Sequence, residues 1–301
     1  MLTIGQLEDQ SLVTFAANDE IFVSGGTKGV RVWRVGDGQL ISTLTVEHVQ
    51  CVAFSKDGKW FAAGTFEGDV IIWDAKSYRQ PSTTWKIDHV IRGLDFSPDA
   101  TRLFALGDFK AKVWNIATRT RAVGPLRHED NARLVAAKYS PRGDRIAIAT
   151  RNSVRVCNSS DGHSLVDIPV NITSDPLMFN TSLLWCNDYL IIISDGTIKK
   201  IKIDASTGPK VSEWPVSGSK NPSCIAVQKV FIPDSSNRTV TFWDTSTGTK
   251  LGHLDHPQGI HSISLSPNGR FLAICGVDKE ITIKRLSRIT VCIGLIELRR
   301  I

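Results

Sequence analysis

Short runs in which apolar and polar residues alternate recur along the chain, separated by clusters rich in Gly, Pro, Asp, Asn and Ser. One unit illustrates the order. An alternating strand leads into a turn such as "SKDG" at 55–58, where glycine supplies a backbone conformation other residues resist. A more apolar strand follows, "WFAAGTF" at 60–66, then a polar turn, then a run ending in an indole, "GDVIIWDA" at 68–75. A D-G or T-G turn comes next and a fourth strand closes the unit, as in "QLISTLTV" at 39–46. No stretch carries a helical period, so the pattern predicts an all-β chain.

The unit repeats. Run endings align at Trp33, Trp73, Trp114, Cys157, about Ile203, Trp243 and Lys284, at intervals of 40, 41, 43, 46, 40 and 41 residues. A second mark keeps step with them: "AFSKDGK" at 53–59, "DFSPDAT" at 95–101, "KYSPRGD" at 138–144 and "SLSPNGR" at 264–270. A third follows the endings: "VGDGQL", "SSDGHSL", "ASTGPK" and "TSTGTK". Three independent marks on one period identify a repeat architecture.

On these marks the chain resembles the WD-repeat β-propellers, whose four-stranded blades circle a central channel. The resemblance covers residues 2 to about 286, and seven endings imply a seven-bladed β-propeller of four-stranded antiparallel blades. It assigns Trp33, Trp73, Trp114 and Trp243 to the wedges between blades, as core residues. The family often orients its tryptophan through a buried His-Ser-Asp-Trp chain. Matched onto this sequence, the second blade offers His48 and Trp73 but has Ala63 and Glu67 at the other two places. The third has His89, Asp108 and Trp114, with Ala105 for the serine; the seventh has His256 and Asp278, with Ile274 and Lys284. No blade carries the whole network, so stability is expected to lean on apolar packing.

A propeller must hide its sheet edges. In this family an N-terminal strand usually completes the last blade, and "LTIGQL" at 2–7 is placed to do so. "SRITVCIGL" at 287–295 could fill the same slot, or belong to a longer array. The predicted division is therefore a propeller over 1–286 and an extra C-terminal segment over 287–301.

Composition adds limits. A hydrophobic content of 42% and a charged content of 22% are those of a globular protein long enough to bury a real core. "MLTIGQLEDQ" lacks the features of a signal peptide, and "ITVCIGLI" at 289–296 is too short to span a bilayer. A cytoplasmic or nuclear, non-secreted protein is expected, and the sequons at Asn158, Asn171, Asn180 and Asn237 carry little weight. The six cysteines form no C-x-x-C pair and read as buried, reduced thiols. A net charge of +6 permits acidic partners without demanding nucleic acid.

Catalytic motifs are sparse. Phosphate-loop, dinucleotide, zinc-protease and nucleophile-elbow patterns are absent from the sequence, and "SGSK" at 217–220 reads as a loop. His253, His256 and His261 form a near-cluster in sequence, but alternation sends His253 and His256 to opposite sides. Glu47, Glu67, Glu129, Asp130 and Asp195 are the carboxylates available to a channel-mouth hydrolase or lactonase, and nothing selects a pair among them. No metal, cofactor or catalytic residue is expected.

What remains is binding. Turns between second and third strands share the wide face with the loops leading into each blade. Lys28, Lys110, Arg151, Arg238 and Lys279 place a cation on five of those seven turns, where chance would give about three. Phe66 and Phe109 offer apolar anchors beside Glu67. The expected function is a non-enzymatic protein-interaction scaffold whose wide face prefers acidic or phosphorylated partner segments. A basic-face nucleic-acid or phospholipid binder is the alternative alongside the hydrolase.

Overall fold

The computed structural model describes residues 2–4, 10–78, 84–87, 89–126, 132–170, 183–186, 188–194, 197–203, 209–215, 230–234, 238–244 and 247–286. They form seven antiparallel sheets and no helix. In chain order the sheets draw their strands from 10–44, 49–86, 93–126, 134–169, 183–215, 230–255 and 260–285. Six have four strands; the sixth has three among the described residues.

Within the first six blades each sheet is a simple meander, because turns of a few residues can join only antiparallel neighbours. In the second blade Val49–Phe54 pairs with Trp60–Thr65, that strand with Asp69–Asp74, and that one with Trp85–Lys86. First strands lie beside one another from blade 1 through blade 5 and between blades 7 and 1, so they line the axis and the fourth strands form the rim. The first strand of blade 7 (Ile260–Leu265) lies beside that of blade 1 (Gln10–Phe15), where Phe15 N donates to Ser264 Oγ at 3.4 Å. The ring is closed. This is a seven-bladed β-propeller.

Blade 7 takes its outermost strand from the other end of the chain. Leu2–Ile4 runs antiparallel to Ile281–Arg285, with Leu2 opposite Ile283 and Ile4 opposite Ile281. Of the two segments able to fill that slot, the N-terminal one occupies it; residues 5–7 and 287–301 lie outside the described residues.

The core is a set of wedges, found among the described residues at six of the seven junctions between blades. Phe15, Phe22 and Trp33 of blade 1 pack on Cys275, Ile281 and Ile283 of blade 7. Phe61 and Trp73 of blade 2 meet Val23, Val30 and Val32 of blade 1. Trp114 of blade 3 meets Val70, Ile72 and Trp85 of blade 2. Similar clusters join blades 3 and 4, 4 and 5, and 6 and 7. The run ends in an indole because that position fills the gap left by two diverging sheets. Truncating such a residue typically costs ~3–5 kcal/mol. Trp33, Trp73, Trp114 and Trp243 are all buried. Trp73 stacks on Phe61 at 5.1 Å and Trp114 on Trp85 at 5.2 Å between ring centres.

The third mark of the repeat has a packing reason. Gly38 and Gly162 adopt φ of 71° and 80°, and a Cβ at either would strike a leucine from the preceding blade's rim strand: Leu2 and Leu126 respectively. Glycine both takes the turn and admits the neighbour.

Candidate interaction surface

The two faces of the ring are built differently. On one lie the turns between first and second strands, where a buried serine bonds its own turn. Ser55 Oγ accepts from Trp60 N at 2.9 Å and donates to Asp57 Oδ1 at 2.6 Å. Ser97, Ser140 and Ser266 repeat this with Arg102, Arg145 and Phe271 as donors and Asp99, Asp144 and Asn268 as acceptors. Burial pushes the Asp57 and Asp99 carboxyls upward, but hydrogen bonds outweigh it and hold both below the usual carboxylate range. Those carboxylates are spent on local structure.

On the other face lie the loops leading into each blade and the turns between second and third strands. Backbone hydrogen bonds knit them together. His48 N donates to Thr27 O of blade 1, and His48 O accepts from Phe66 N of blade 2, each at 2.9 Å. Between blades 6 and 7, His256 N donates to Arg238 O at 2.7 Å and Val277 N to Gly259 O at 2.8 Å. Leu134 N donates to Asp108 O at 2.7 Å between blades 3 and 4. Phe66 and Val277 stand exposed on this bonded backbone.

The predicted face residues lie on these elements. Lys28, Glu67, Arg151, Arg238 and Lys279 are exposed and Lys110 is half-buried. Phe66 is 55% exposed and Phe109 38%. Arg238 Nη1 donates to Pro257 O at 2.8 Å. Glu47 is exposed; Glu129, Asp130, Asp195 and the "SGSK" loop lie outside the described residues.

The residues matched to the family's polar chain divide. His256 is buried, with Nε2 3.4 Å from Thr282 Oγ1 and Nδ1 3.0 Å from Gln258 O. Asp278 lies with it over Gly276, and its Oδ1 accepts from Glu280 N at 3.2 Å. His48 is exposed at φ 51° and serves through its backbone. His89 sets its ring edge-on to Phe109 at 5.9 Å. Asp108 accepts from Arg92 Nε at 2.9 Å and from Arg133 Nε at 3.1 Å, clasping the loops that lead into blades 3 and 4. Burial raises its carboxyl, but the bond from Arg92 and the two guanidinium charges prevail and lower it.

Some residues escaped the sequence reading. Trp33 Nε1 donates to buried Ser24 Oγ at 2.9 Å, so blade 1 keeps the serine–indole half of the chain. The signal was a serine nine residues before the indole. Val277, 53% exposed, occupies the same turn position in blade 7 that Phe66 holds in blade 2. Burial pushes the thiols of Cys51, Cys157 and Cys275 up to about 12, 11 and 12, which keeps them protonated and inert. Among the described residues no group of three or more His, Cys, Asp or Glu is placed to hold a metal ion, and no helix is long and apolar enough to cross a membrane.

A family profile described as "WD domain, G-beta repeat" matches residues 38–74, 80–115 and 248–283. The matched segments fall on blades 1–2, 2–3 and 6–7 of the ring. The chain is a seven-bladed β-propeller that carries WD repeats. Similar proteins include the "Intraflagellar transport protein 122 homolog" of Xenopus tropicalis, 23% identical over 85% of this chain and 21% of that protein. The "Cilia- and flagella-associated protein 52" of Mus musculus is 22% identical over 90% of this chain and 44% of that protein. The chain thus spans from about a fifth to under half of these relatives. Among solved structures, the β-propeller domain of Cps50 (Swd1) from "Myceliophteria_thermophila" superposes with a TM-score of 0.80. It is 16% identical, over 95% of this chain and 99% of that one. WD-repeat relatives are typically protein-interaction scaffolds.

Proposed function

We propose that this WD-repeat propeller is a non-enzymatic scaffold working inside the cell. It would bind segments of partner proteins on the face formed by the lead-in loops and the turns between second and third strands. One observation carries the reading: that face is fixed through its backbone, yet leaves Phe66, Phe109, Val277 and several cations exposed. A rigid frame lowers the entropy lost on binding, and several blades together offer the ~800 Å² per partner that a specific contact needs. The cations at Lys28, Arg151, Arg238 and Lys279 favour acidic or phosphorylated segments. The relatives named for intraflagellar transport and for cilia support a place within a larger assembly.

Peptide arrays test this. Acidic and phosphorylated peptides should be retained over neutral ones, and charge reversal at Lys28, Arg151 and Arg238 should abolish the preference. Retention indifferent to those reversals would overturn it. A parallel titration with single-stranded RNA and with phosphoinositide vesicles, steep in salt and tighter than any peptide, would replace the scaffold with a polyanion binder.

A further inference from the structure

The exposed groups on this face are not spread evenly. Phe66 and Phe109 stand on neighbouring blades 2 and 3. The loop between them is pressed against the blade 2 turn: Gly68, at φ 89°, leaves no room for a Cβ beside Ile87 O and His89 O. Its His89 ring then meets Phe109 edge-on. Phe66 and the His89–Phe109 pair thus stand on adjoining loops of blades 2 and 3, with exposed Glu47 and Glu67 and half-buried Lys110 on the same loops.

Blades 6, 7 and 1 present the opposite character. Their turns carry exposed Arg238, Lys279 and Lys28 in consecutive order around the ring, with exposed Val277 beside Lys279. Among the described carboxylates here, Asp278 is folded back over Gly276, Glu280 is half-buried, and exposed Asp255 lies opposite Thr239, beside Arg238.

We infer that the face reads a bipartite segment of a partner protein. Aromatic or large aliphatic residues would dock on Phe66 and the His89–Phe109 pair, and Asp or Glu residues would lie over the Arg238–Lys279–Lys28 arc. This rests on the scaffold reading and adds polarity to it. Charge complementarity sets the orientation, because an acidic half placed over blade 2 would face Glu47 and Glu67. The apolar half supplies the desolvated anchor and the acidic half the selectivity.

Selection from a displayed library of random 16-residue peptides tests the inference. Three baits are used: the wild-type chain, the Phe66→Ala/Phe109→Ala variant and the Lys28→Glu/Lys279→Glu variant. Wild-type winners should combine an apolar cluster with a separate acidic cluster. The first variant should retain acidic but lose apolar selection, and the second the reverse. In fluorescence anisotropy each pair of substitutions should weaken a winning peptide by about 10-fold. Winners without an acidic cluster, or both features vanishing together in either variant, overturn the polarity and leave the scaffold standing. No enrichment at all, or winners that bind a variant carrying all four substitutions unchanged, removes both. Lys56→Glu/Lys59→Glu on the opposite face makes the same change in net charge, and should leave the selection unchanged.

Discussion

The two faces of this propeller solve the same loop problem in different ways. On the first-to-second-turn face, side chains close the turns: Ser55, Ser97, Ser140 and Ser266 and their acidic or amide partners are consumed by their own backbone. On the lead-in face backbone bonds join the loops, as at His48, with help from the side chains of Thr65, Thr150 and Asp278, and Phe66, Phe109 and Val277 stand exposed. Side chains already committed to structure are poor recognition elements, since a partner must break existing bonds to use them. The difference favours the lead-in face as the one the proposed function uses, although both carry many charges.

The comparison fails most completely if the wedges beneath both faces give way. Trp114→Ala removes the indole stacked on Trp85 at 5.2 Å and should cost ~3–5 kcal/mol. Urea unfolding should show the loss, and binding on the lead-in face should weaken with it. A cost under about 1 kcal/mol would mean the wedge does not hold the ring.

Next in size is a change confined to the locked face. Ser97→Ala strips the Arg102 amide of its buried acceptor and should cost ~1–3 kcal/mol. Peptide affinity at 25 °C should not move, because nothing on the lead-in face touches that turn. A fall in affinity matching the fall in stability would show that the faces are not independent.

How much of this was legible in the chain follows from which contacts are periodic. The wedge residues recur because each junction poses the same packing demand, so the period survives even where Cys157, Ile203 or Lys284 replaces the indole. At Lys284 the substitute is polar: its ammonium donates to Asp255 O at 3.0 Å, and burial lowers its pKa against the opposing pull of Asp255. Serine–aspartate turns were visible for a similar reason, being local and repeated. The clasp of Arg92 and Arg133 on Asp108 was hidden, because its members lie 16 and 25 residues from the aspartate and occur in one place. Matching Asp108 to a repeat position gave its address but not its partners. The exposure of Val277 was also unreadable, since an aliphatic residue in a β pattern looks like core.

Acid should separate the faces by degree. Asp57, Asp74 and Asp99 on the locked face, and Asp108 on the other, are held below the ordinary carboxylate range. In the unfolded chain these groups return to roughly 4, so on acidification the unfolded state takes up protons first. Their contribution is fully present above about pH 4 and is lost as the pH falls through each folded value. Thermal unfolding of Asp99→Asn should therefore show a shallower acid limb than wild type. Matching slopes would mean the turn bonds do not set that carboxyl's affinity.

The smallest effect is the most discriminating. Phe66→Ser and Phe109→Ser replace large apolar groups, which in the wedges would be ruinous, yet both side chains stand at turn tips and are 55% and 38% exposed. Each should change unfolding free energy by no more than about 0.5 kcal/mol. Phe109 should sit nearer that limit, because it also loses its edge contact with His89. If either substitution destabilised the ring as a wedge residue does, the phenylalanine would be structural, and the lead-in face would have lost its apolar anchor. If stability held while peptide affinity fell, the same two residues would show that side chains idle in folding are the ones employed in recognition.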